Sequence, residues 1–162
     1  MRLASGHNDI ELSALGIQQA KDMGARYAQT NFDVIFCSDL QRSFMTAELA
    51  FGNKYTIVKD AKLRECDYGD LTQHPKEEID KEKYNRIETP FPNGESYHDT
   101  AKRMKSFLSD ITQNYQGKKI LIIGHRATQY GLEHWIHNKP LREVVTAPWQ
   151  WQPGWKYELE KA

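Results

Sequence analysis

Residues 118–124 read KKILIIG, and they constrain the fold more than any other stretch of this chain. Four apolar residues in a row (Ile120 to Ile123) leave no polar face for solvent. The segment is therefore expected to be a strand covered on both sides and central in a parallel sheet. It ends at Gly124 and His125 and passes straight into a helical pattern from about Ala127 to His137. A buried strand feeding directly into a helix is the repeating joint of α/β folds.

The alternation recurs along the chain. Ser13 is the expected N-cap of a helix reaching about Gln29, with Leu15, Ala20, Met23 and Tyr27 on one face. DVIFC (residues 33–37) reads as a short buried strand leading to a helix capped by Ser38 or Asp39. YTIV (55–58) is a further strand. Residues 67–96 are polar, carry prolines and hold no sustained period, so a long surface excursion serving as a partial lid is expected. Tyr97, Ala101, Met104, Leu108, Ile111 and Tyr115 then fall at helical spacing behind Ser96, a stripe that belongs to the core. GWKYELE (154–160) alternates like an edge strand. The expected fold is α/β, a three-layer α/β/α sandwich with a mostly parallel sheet, residues 1–162 making a single domain.

Several functions are disfavoured by bulk properties. Lys+Arg and Asp+Glu both number 22, so no overall field draws the chain to nucleic acid or a membrane surface. The apolar runs are too short for a membrane span, and the first residues lack the apolar core of a signal peptide. Cys37 and Cys66 do not make a disulfide framework, and a cytoplasmic location is expected. The six histidines show no ligand spacing, so no metal and no cofactor are expected; His134 and His137 suit the C-terminal end of their helix.

Ligands of such sheets gather at the carboxyl ends of strands, beside helix N-termini that favour anions. Arg42 follows DVIFCSD, His125 follows ILIIG, and Glu65 lies in KLRECDYG after the YTIV strand. Together they suit a phosphate ester. Arginine clamps the anion, histidine donates to it, and the acid protonates the leaving oxygen. CSDLQR is not the loop of a thiolate phosphatase, which has five residues between Cys and Arg and a glycine; here four intervene and none is glycine. Cys37 is expected to be a small buried residue. The tryptophans of PWQWQPGW are expected to pack the tail onto the domain.

These segments, in this order, resemble the histidine phosphatase superfamily, the phosphoglycerate mutase-like fold. DIELSALGIQQA, VIFCSDLQRSFMTAE, LRECDYGD, PNGESYHDTAKRMKSFL and ILIIGHRATQYGLE each resemble a stretch of the family, over nearly the whole chain. The resemblance implies hydrolysis of a small phosphomonoester through a phosphohistidine, without metal. It places a phosphate-binding arginine at Arg42, the proton donor at Glu65 and the second active-site histidine at His125. The chain's modest length favours phosphatase over mutase, and the resemblance does not choose the metabolite.

Two departures carry weight. Arg126 stands where the family usually has glycine, and is expected to contact substrate or narrow its pocket. The family's nucleophile lies in an Arg-His-Gly motif on a first strand, and these 162 residues contain no such tripeptide. His7 falls in the loop after that strand, a histidine facing substrate rather than the nucleophile. The domain is thus expected to be incomplete at its N-terminus and impaired in turnover. Without the strand, neighbouring backbone groups lose their partners at about 1–3 kcal/mol each if buried, and a homodimer built over the open edge is one way to cover them. The alternative is a non-catalytic remnant that binds phosphorylated ligands or scaffolds.

Overall fold

Which side chains the strands bury, and on which face, sets the architecture. In the computed structural model, which describes residues 1–160, β1 (Val34–Cys37), β2 (Ile57–Lys59) and β3 (Ile120–Ile123) form a parallel sheet ordered β2-β1-β3. Val34 and Phe36 of β1 and Ile120 and Ile122 of β3 point to one layer, while Ile35, Cys37, Leu121 and Ile123 point to the other. Helices α4 (Tyr97–Asn114) and α5 (Arg126–Ile136) cover the first face through Met104, Phe107, Leu108, Ile111 and Leu132. Helices α1 (Ala14–Arg26) and α2 (Gln41–Phe51) cover the second through Met23, Ala47 and Phe51. This is the expected three-layer α/β/α sandwich. None of the described helices is long and apolar enough to cross a membrane.

A second apolar cluster lies beyond the sheet, where the polar excursion of residues 67–96 returns to the body. Its few hydrophobic residues are spent on the core: Ile79, Ile87 and Phe91 are buried against Tyr97, Tyr130, Leu141 and Val145. The segment carries α3 (Lys76–Glu82), and α6 (Leu141–Thr146) packs beside it. Tyr68, Phe91, Tyr97 and Tyr130 stack edge-on in series, with ring centroids 5.2–5.9 Å apart.

Several elements differ from expectation. β1, not β3, is the central strand; β3 pairs only with β1 among the described residues, so its other edge is open. Its two apolar faces reflect helices on both sides of the sheet, a condition that an edge strand also meets. α1 stops at Arg26, and Leu15 is 67% exposed, outside the packed face of Met23 and Tyr27. Neither Ser38 nor Asp39 caps α2. The Asp9 carboxylate, from the preceding loop, accepts the Gln41 N–H at 2.6 Å instead. β2 begins at Ile57, not Tyr55, because the Tyr55 N–H is spent on the Phe51 carbonyl at 3.0 Å in the turn that ends α2, and pairing with β1 starts at Ile57 opposite Ile35. Residues 154–160 form no strand; Tyr157 is tied to α5 by donating to Glu133 at 2.8 Å. The first residues lie along the excursion, where Ala4 exchanges backbone hydrogen bonds with His74 and Gln73 at 2.9 and 2.7 Å.

Candidate active site

Parallel pairing brings the C-terminal ends of β1 and β3 to one edge. There the Ser38 N–H reaches the Ile123 carbonyl at 3.3 Å, and the Ser43 hydroxyl donates to the same carbonyl at 2.8 Å. Ser38 Oγ and His125 Nε2 are hydrogen-bonded at 2.6 Å. Gly124 is needed here, since a Cβ would run into the Thr128 side chain. That close approach lets Thr128 Oγ1 accept the His125 N–H at 2.9 Å and donate to the Leu63 carbonyl at 2.9 Å. His125 is thereby locked as the N-cap of α5.

Its electrostatics follow from that position. Burial, reinforced by the charges of Arg42, His7 and Arg103 and opposed by Asp39, pushes the His125 pKa down from 6.5 to about 3. The imidazole is neutral at physiological pH. Arg42, in the first turn of α2, donates to the Gly6 carbonyl at 2.7 Å and the Asn8 carbonyl at 3.1 Å. Burial draws its pKa down while neighbouring Glu65 opposes. Glu65 Oε1 accepts the Cys66 N–H at 2.8 Å and the Ala127 N–H, in the first turn of α5, at 3.2 Å. Glu65 Oε2 has no hydrogen-bond partner among the described residues. Arg42, Glu65 and His125 therefore gather at one end of the sheet.

His7 joins them. Its Nε2 is 2.8 Å from the Glu65 carbonyl oxygen, and carboxylates of Asp67 and Glu95 stand 3.7 and 3.8 Å from its ring nitrogens. Three further residues, not singled out in sequence, hold this arrangement. Arg103 forks onto Glu95 with two 2.7 Å bonds and also donates to the carbonyls of Lys62, Arg64 and Glu65. Burial raises the Glu95 pKa, yet the Arg103 bonds and the Asp67 N–H outweigh it and keep the carboxyl below its usual range. Arg64 makes a bidentate pair with Asp39 at 2.6 Å, joining the Glu65 loop to the tip of β1. Arg103 belongs to the helix after PNGES, which is the one signal in sequence that touched it.

Other expected residues fall elsewhere. Arg126 follows His125 but its guanidinium carbon sits 4.3 Å over the Trp149 ring, lining a neighbouring cleft. The Cys37 thiol is buried in the core, and burial, against Lys59, pushes its pKa up to about 11, so it holds no thiolate. Of the tryptophans expected to pack the tail onto the domain, Trp149 donates to Gln129 at 3.0 Å and stacks on Trp155 within the tail at 6.0 Å, whereas Trp151 is 65% exposed.

The sequence profile of the histidine phosphatase superfamily (branch 1) matches residues 1–150. This chain belongs to that superfamily. Among curated relatives it is 35% identical over 130 residues to an uncharacterized phosphatase, PhoE, of Bacillus subtilis (strain 168), covering 78% of this chain and 65% of that one. It is 29% identical over 127 residues to phosphoserine phosphatase 1 of Hydrogenobacter thermophilus, covering 72% of this chain and 60% of that one. The chain thus spans less than two thirds of the length of either relative. Among solved structures, Bacillus stearothermophilus YhfR superposes with a TM-score of 0.80 over 94% of this chain and 80% of that one, at 24% identity.

Proposed function

We propose that this histidine phosphatase domain binds a small phosphomonoester between Arg42, Glu65 and His125 and supports its hydrolysis through a phosphohistidine. The observation that carries the reading is the meeting of a guanidinium, a carboxyl with one unpaired oxygen and a buried neutral imidazole at the N-terminus of α5. Arg42 supplies fixed positive charge to non-bridging oxygens. On binding, His125 Nε2 exchanges its Ser38 hydrogen bond for one to the anion, whose negative charge favours protonation of the ring. The amides of Cys66 and Ala127 hold Glu65 Oε1, leaving Oε2 to pass a proton to the departing alkoxide.

The nucleophile is the weak link in this chain as given. No Arg-His-Gly occurs in it, and beyond His125 the imidazole at the cluster is His7, hydrogen-bonded to a backbone carbonyl and flanked by two carboxylates. Phosphohistidine turnover by these 162 residues is accordingly impaired in our reading. That same observation favours the second reading, a domain that keeps anion affinity and has lost turnover. A cytoplasmic location, which the two free buried thiols fit, and a homodimer over the open edge of β3 belong to the same proposal.

Calorimetric titration with inorganic phosphate or vanadate, beside an assay with a generic aryl phosphate, tests both readings. Arg42→Ala is expected to weaken anion binding by about 1.5–3 kcal/mol, the scale of a charged hydrogen bond. Unchanged binding would remove Arg42 from the site. Turnover abolished by His125→Ala supports catalysis; anion binding without turnover supports the second reading.

A further inference from the structure

Among Arg42, Glu65 and His125, only the histidine has the atom that would meet an anion already engaged. Arg42 uses N–H donors on the Gly6 and Asn8 carbonyls and keeps others for an anion. Glu65 keeps Oε2 without a partner among the described residues. His125 Nε2, by contrast, is closed by Ser38 Oγ at 2.6 Å. An anion therefore reaches Arg42 without displacing anything, and reaches the imidazole only by breaking a bond.

Ser38 is in no position to follow the ring. It is fully buried just past the end of β1. Its N–H reaches the Ile123 carbonyl at 3.3 Å and Ser43 Oγ at 3.1 Å, while the Ser43 hydroxyl donates to that same carbonyl at 2.8 Å. The next residue, Asp39, is clamped by Arg64. The serine is thus fixed to β3 on one side and, through Asp39, to the Glu65 loop on the other. Among the described residues, Ser38 Oγ has no hydrogen-bond partner besides His125. When Nε2 leaves, a hydroxyl inside the protein is stranded, at a cost in free energy that the incoming ligand must offset. A neutral ligand offers the imidazole no more than the serine does. An oxyanion offers a charge-assisted hydrogen bond, roughly twice as strong as a neutral one.

We propose that Ser38 is a positioning residue, a latch that holds the His125 imidazole in place and releases it only to an oxyanion. It acts through the ring and makes no contact of its own with the anion. This rests on the proposed function, in which Nε2 passes from Ser38 to the phosphate. The latch lowers phosphate affinity below what Arg42 and an unengaged imidazole would give. It also recaptures the ring as the anion departs.

Ser38→Ala separates a latch from an ordinary buried serine, through urea denaturation and calorimetric titration of the full chain with inorganic phosphate. Removing the hydroxyl takes a hydrogen bond from the folded chain, so the urea midpoint is expected to fall. Phosphate affinity is expected to rise about two- to tenfold, the reach of one net hydrogen bond. A serine that only supports the fold would lose stability with affinity unchanged or reduced, and that outcome overturns the latch. The native chain supplies a second measurement that does not depend on how the variant folds. Its crystal structures are expected to show Ser38 Oγ bonded to Nε2 without phosphate and parted from it with phosphate. A bond retained beside bound phosphate, or lacking in the phosphate-free chain, overturns the latch as well. Phosphate binding by Ser38→Ala alone supports a latch strong enough to close the native site. Absence of phosphate binding from both chains overturns the proposed function itself, and the latch with it.

Discussion

Glu65 presents two unlike oxygens, one held by two amides and one with no partner among the described residues, and that asymmetry makes its role testable. In Glu65→Gln the amide oxygen can still accept from Cys66 and Ala127, so the loop keeps its place, but no proton is available for the leaving group. Phosphate affinity should be preserved. In any form of the protein that turns over, hydrolysis of alkyl phosphates should fall by about a hundredfold or more while esters with acidic phenols are nearly spared. An equal loss for both would refute the proton-donor role. That Arg42 and His125 would meet could be expected from sequence because each follows the end of a strand, a local pattern; Glu65 reaches them only after a further turn at residues 61–63. What organises them could not be read so. Ser38 meets His125 across 87 residues, Arg103 meets the Glu65 carbonyl across 38, and His7 meets it across 58. Such contacts exist only once the sheet has formed. Arg126, singled out for its charge at a position usually small, lays its guanidinium over Trp149, a contact 23 residues away that no local pattern announces.

Helices and strands were legible where hydrophobic spacing was regular and less so where their ends depend on distant partners. The α4 stripe and its Ser96 cap, reinforced by a reciprocal bond from Asp99, arise from residues within one turn of each other. The start of α2 does not. Its cap is Asp9, 32 residues upstream, because Ser38 is bonded to His125 and Asp39 to Arg64. The consequence reaches the site, since the loop that supplies Asp9 also supplies the Gly6 and Asn8 carbonyls that orient Arg42. Asp9→Ala should therefore destabilise the chain by about 0.5–2 kcal/mol, the range of a lost cap, and weaken phosphate binding as well. Urea denaturation and phosphate titration of the same variant measure the two effects. A stability loss with binding untouched would mean that the loop does not set the arginine. α6 and the unformed C-terminal strand escaped prediction for different reasons: six residues are too few to show a period, and residues 154–160 are drawn to α5 by the Tyr157–Glu133 bond rather than to a sheet edge.

At the scale of the whole molecule, the site makes folding depend on pH. Folded His125 is held near a pKa of about 3, whereas its ordinary value is 6.5. Between those two values the unfolded chain binds a proton that the folded chain refuses, so stability falls as pH drops through that window and gains nothing further from this group above it. The carboxyls of Asp39, Glu95 and Asp99, held low by Arg64, by Arg103 against the cost of burial, and by the Ser96 backbone respectively, give up their own stabilisation only at more acid pH. The range from pH 6.5 to about 5 lies above the window of these carboxyls, and comparison with a variant at this one position isolates His125. His125→Asn keeps a polar group for Ser38 and removes the titration. Over that range the native chain should lose about 1.5 kcal/mol more than the variant in chemical denaturation. An anion bound beside the imidazole opposes the forces that keep it neutral, so saturating phosphate, whose own titration acts on both chains alike, should narrow the difference between the native and variant slopes. Parallel slopes for both chains without phosphate would show that His125 is not held neutral. A difference that phosphate leaves untouched would show that the anion binds away from it.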